Sequence, residues 1–101
     1  MAKDIHVHRQ SVSSTSLTGS STSLRGIEGI VRQMYIKAGT NTTTFKINLT
    51  DDNSSDVLRN WGYHTGELND FEEIPIKGPV TINITNLNQN DSFTVRMAVE
   101  R

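Results

Sequence analysis

The chain has 101 residues, of which 34% are apolar and 21% charged, with no cysteine and a net charge of −1. That length suits one two-layer domain, and the balanced charge lacks the basic excess that nucleic acid or an anionic membrane surface recruits. Without cysteine there are no disulfides, thiolate metal sites or cysteine nucleophiles.

The opening "MAKDIHVHRQ" has no apolar stretch of the signal-peptide kind, and no run nears the roughly 20 apolar residues that span a bilayer. A soluble protein made in a cytoplasm is the expectation. Residues 1–26 read as an N-terminal arm and 27–101 as the domain proper. In "DIHVHRQSV", Ile5, Val7 and Arg9 alternate with Asp4, His6 and His8, a period of two that predicts a strand free to pair with a neighbouring sheet. Imidazoles at i and i+2 suit a shared metal, but one strand supplies too few ligands, so no metal or other cofactor is assigned.

Next, "SSTSLTG SSTSLRG" writes one heptad twice across residues 13–26. An odd shift in extended chain sets Leu17 and Leu24 on opposite sides, and Ser/Thr runs disfavour a helix. One reading is a duplicated flexible connector. The other is an assembly arm that orders on a partner, with Ile5, Val7, Leu17 and Leu24 as its anchors.

From residue 27 the pattern is that of short strands. "GIVRQMYIKA" is bulky on both faces, with Ile30, Met34 and Ile36 on one and Val31 and Tyr35 on the other, which predicts a central or covered strand. "TTFKINLT" points Phe45, Ile47 and Leu49 inward. "DDNSSD" (51–56) is oxygen-rich, but it lacks the Gly and Glu of a calcium loop and reads as a turn, with Asp56 able to cap a helical turn. "DVLRNWGYHTGEL" predicts a short strand or one helical turn ended by Gly62. "FEEIPIKGPV" reads as an edge because Pro75 and Pro79 remove ladder donors. Val80, Ile82 and Ile84, then Phe93, Val95, Met97 and Val99, alternate on either side of the turn cluster "NLNQND" and predict an antiparallel hairpin. Six or seven strands without a helical period predict an all-β fold: an antiparallel β-sandwich or jelly-roll-like domain with an extended N-terminal arm.

Candidate sites are few. No catalytic motif appears; the acidic run Glu67, Asp70, Glu72 and Glu73 has the residues for a glycosidase-type carboxylate pair, but a domain this small lacks a deep cleft, so no enzyme is expected. Five Asn-x-Ser/Thr sequons, at Asn41, Asn48, Asn53, Asn83 and Asn90, follow from the composition. Trp61, Tyr63 and His64 in "NWGYHTG" are the residue types for stacking on a sugar ring or a partner; alternatively, Trp61 plugs the end of the sandwich.

The strand ending in "YIKAG", then "TTTFKINLTDDNS", "GEL", the corner in "PIKGPVTINITN" and the final "DSFTVRM" resemble small virion structural proteins of tailed bacteriophages over residues 30–100. The resemblance implies a β-sandwich that decorates or cements a capsid, with no catalytic residues to carry over. Its partners would be further copies of itself, with a trimer at a capsid threefold position favoured, and the major capsid protein or other virion proteins. Its place would be the virion. Alternatives are a tail or neck ring, a fibre component, or a carbohydrate- or host-binding module.

Overall fold

The computed structural model describes residues 5–14, 19–24, 28–53 and 56–100. Eight strands follow one another: β1 (Ile5–Ser14), β2 (Gly19–Leu24), β3 (Glu28–Ala38), β4 (Thr44–Asp51), β5 (Val57–Thr65), β6 (Glu67–Lys77), β7 (Val80–Thr85) and β8 (Asp91–Glu100). They form two four-stranded antiparallel sheets: sheet A in the order β1-β8-β3-β6 and sheet B in the order β2-β7-β4-β5. First pairs with last, second with seventh, third with sixth and fourth with fifth. This is the eight-stranded jelly roll.

Alternation explains the core. Phe45, Ile47 and Leu49 of β4 and Ile82 and Ile84 of β7 face Met34, Ile36, Phe93, Val95 and Met97 of sheet A, all of them buried. Phe45 and Phe93 meet edge to face with ring centres 5.0 Å apart, joining the layers near one end.

Three expectations change. The strands around "NLNQND" are not a hairpin, because β7 lies in sheet B and β8 in sheet A. The connection crosses between layers: Asn86 takes a positive φ of 54° and Leu87 is buried. Asn88 fixes the crossing through Oδ1, which accepts from the Thr44 amide at 2.9 Å. Second, residues 57–65 form a continuous strand with no helical turn. Gly62 (φ +73°) lies at a bulge against β4, where a left-handed residue bends the strand without ending it. Third, a register shift between Val31 and Gln33 inserts one extra residue in β3. Val31 and Met34, three apart, are therefore both buried, although strict alternation puts them on opposite faces.

The described parts of the N-terminal arm, Ile5–Ser14 and Gly19–Leu24, are strands of the two sheets. β1 is an edge strand of sheet A, paired with β8 of its own chain from Ile5↔Glu100 to Ser14↔Asp91. The second heptad supplies β2, an edge of sheet B, with Leu24 opposite Val80. Leu17 and Asp4 lie outside the described residues.

Candidate functional site

The ladder registers set out four rows of residues across the outer face of sheet A. One row across the sheet is Ile5, Glu100, Ile30 and Pro75; the next is Val7, Ala98, Gln33 and Phe71. Then come Arg9, Arg96, Tyr35 and Asn69, and finally Ser11, Thr94, Lys37 and Glu67. Apolar side chains therefore gather in the first two rows. Ile5 (56% exposed), Val7 (44%) and Phe71 (75%) are open to solvent.

The third row is basic. Arg9 and Arg96 are directly opposed, an arrangement that costs stability between like charges. The Arg96 guanidinium lies 4.3 Å from the centre of the Tyr35 ring, where the ring face offsets part of that cost. Arg32, at the bulge, is held by Glu100 at 2.7 Å and Glu73 at 2.5 Å. No carboxylate among the described residues pairs with Arg9 or Arg96.

His6 and His8 lie opposite Val99 and Met97, on the sandwich side of β1, so Ile5, Val7 and Arg9 form its outward side. Among the described residues no group of three His, Asp or Glu could hold a metal.

A polar seam closes the side where β5 of one sheet faces β6 of the other. Trp61 is 9% exposed, and its indole N–H donates to Asp70 at 3.1 Å and Glu72 at 3.2 Å. Arg59 donates to Glu72 at 2.9 Å and lies 3.7 Å from Asp70. A hydrogen bond with Glu72 is the main influence holding the Asp70 carboxyl below its ordinary range. Desolvation opposes it, and the Trp61 indole, the Arg59 charge and the Phe71 amide add to the lowering. Both carboxylates are engaged by the same indole and guanidinium, an arrangement that ties two sheet edges together.

The three aromatic candidates separate. Trp61 belongs to the core. His64 is half-buried, with a ring nitrogen 3.2 Å from the Trp61 carbonyl. Tyr63, 62% exposed, stands on the outer face of sheet B, where its hydroxyl accepts from Asn86 at 2.9 Å. That face carries Lys46 opposite Tyr63 and is amide-rich around Asn48 and Asn83, which bond each other at 2.7 Å.

Two loop features went unread in the sequence. Burial pushes the Asp91 carboxyl up, but hydrogen bonds from Thr43, Thr40 and Ser92 outweigh it and leave the group below its ordinary range. They pin the β3–β4 loop to the start of β8, with Thr43 Oγ1 at 2.6 Å and the Thr40 amide at 2.8 Å. Beside this loop an open depression of about 650 Å³ is lined by small residues and the cross-strand pair Lys37–Glu67. In "DDNSSD", the Asp51 side chain accepts from the Asn53 amide at 2.8 Å and the Asp56 carbonyl from the Asp51 amide at 2.8 Å, which makes Asp56 a turn closer and not a helix cap.

Comparison with protein-family models gives no match, and no curated protein matches the chain.

Proposed function

We propose that this protein is a non-enzymatic virion structural protein of a tailed bacteriophage, decorating or cementing the capsid through oligomeric β-sandwich contacts. The observation that carries the reading is the outer face of sheet A, where exposed Ile5, Val7 and Phe71 flank the opposed pair Arg9 and Arg96, which has no carboxylate partner among the described residues. Apolar anchors beside arginines on an exposed sheet face suit a protein partner, here a capsid protein or a second copy, better than a small molecule. The strand and turn resemblance over residues 30–100 points the same way. So does the jelly roll, which recurs in viral capsids and lectins, although fold alone is an argument by analogy. The acidic run contributes no pair poised for acid–base work, since Asp70 and Glu72 are bound into the seam.

The test is binding to particles. Purified protein added to phage heads lacking it should bind saturably, in a fixed number of copies per head, and raise the temperature at which heads release DNA. Phe71→Asp should weaken that binding at least tenfold with unchanged circular dichroism. Binding to tails instead moves the protein to a neck or tail ring; binding to neither removes the reading.

Tyr63 supports a second reading. An exposed aromatic beside Lys46 (6.0 Å from the ring centre), Asn86 and the amides of sheet B suits a sugar ring. Saturable binding to a host-surface glycan that Tyr63→Ala abolishes would establish it; Trp61 would take no part.

A further inference from the structure

The four edges of the sandwich differ in how well they are protected. β6 carries a bulge, Pro75 and four carboxylates. β5 carries two register shifts. β2 is only six residues long. β1 runs ten residues against β8 without a register shift, without proline and with Arg9 as its one permanently charged residue. β8 lies on one side of β1, and among the described residues no strand lies on the other. Bulges, prolines, charges and short length are the devices that stop an edge from pairing. β1 has almost none of them, and it displays Ile5 and Val7.

We propose that the first half of β1 is the contact between copies: a second copy of this chain pairs antiparallel along Ile5–Arg9, about a two-fold axis at Val7. The proposal names the self-contact left open by the oligomeric reading above. A two-fold axis normal to the sheet keeps outward residues outward and pairs positions whose numbers sum to an even value. Centred on Val7, it sets Val7 against Val7 and Ile5 against Arg9 of the second copy. The two Val7 side chains then meet at the axis, with each Ile5 diagonal to the Val7 of the other copy. The two Arg9 residues stand apart, each reaching the row in which Ile5 of the other copy neighbours Glu100. Each Arg9 thereby comes within reach of the other copy's Glu100, which already accepts from Arg32 of its own chain and would be shared between the two arginines. The contact closes on itself as a dimer with a continuous eight-stranded sheet, in place of the threefold that the resemblance implies. β6 offers more acid, but its bulge and proline break the template.

The sequence has no cysteine, so any single introduced cysteine can form only intermolecular disulfides. Val7→Cys should oxidise to a covalent dimer in high yield, because residues facing each other across an antiparallel pair have Cα atoms about 4.5–5.5 Å apart, within disulfide reach. Ile5→Cys, whose two copies would lie about 14 Å apart, and Phe71→Cys on the far edge should not. Light scattering of the full chain should read two copies, and Val7→Lys should read one copy with unchanged circular dichroism. A trimer or a monomer in the unmodified chain overturns the proposal. So does cross-linking through Phe71→Cys, or through Ile5→Cys as fast as through Val7→Cys. A register-specific dimer that ignores phage heads keeps this contact and removes the decoration reading. Heads decorated by a monomer do the reverse.

Discussion

Along its β5/β6 side the sandwich is sewn shut, whereas along its β1/β2 side it ends in regular strands. On the closed side, two bulged strands cross-link through Arg59, Trp61, Asp70 and Glu72, with an indole and a guanidinium shared between two carboxylates. On the open side, β1 and β2 follow their neighbours without a register shift, and the apolar residues of β1 divide between a buried Val12 and exposed Ile5 and Val7. Both sides face the same physical problem of ending a sheet. One solves it with irregularity and internal charge pairing, and the other leaves a template that a second chain can extend.

The difference can be broken at several points. Trp61→Ala removes the largest side chain of the closed side and should destabilise the fold by about 3–5 kcal/mol in urea unfolding. A loss under 1 kcal/mol would mean the seam is ornamental. Arg59→Ala leaves Glu72 and Asp70 without their cation and should cost about 1–2 kcal/mol. Acid should act on the same seam. Asp70 is held below its ordinary value in the fold, so its contribution is complete above the unfolded value of about 3.9 and fades as pH falls through the lower folded value. Urea midpoints taken from pH 6 down to pH 2 should therefore drop less steeply in Asp70→Asn than in the unmodified protein. On the open side, Val7→Lys should change stability by no more than about 0.5 kcal/mol at monomer concentrations, because the side chain is already solvated. A larger loss would make β1 a structural strand first and a contact second.

Much of the core was legible because period two survives wherever a strand is regular. Phe93 to Val99, Val80 to Ile84 and Phe45 to Leu49 all bury the residues that alternation selects. Alternation failed at Val31 and Met34, where one inserted residue resets the face, and around Gly62, where bulges let Trp61 turn inward. A turn cluster such as "NLNQND" states that the chain reverses, but not whether it stays in its sheet; buried Leu87 was the one hint that it crosses layers. The seam was illegible for a related reason. Asp70 and Glu72 meet Trp61 because two edges of different sheets stack, and nothing local in either strand encodes that stacking. The tandem heptad gains a use in its second copy, which forms the polar edge strand β2.

The pairing of first strand with last also sets a timetable. β8 is the last of the eight strands to be synthesised, yet it sits inside sheet A between β1 and β3. At roughly 5–20 residues per second on the ribosome, β1 waits several seconds for its partner. Sheet A therefore cannot close before β8 has been made, and it forms in a search dominated by contacts distant in sequence, which places folding in the slow, millisecond-to-second regime. Throughout that wait the aliphatic residues of β1 are open to other nascent chains, so crowded synthesis of many copies is the condition under which this protein is most prone to pair before it folds.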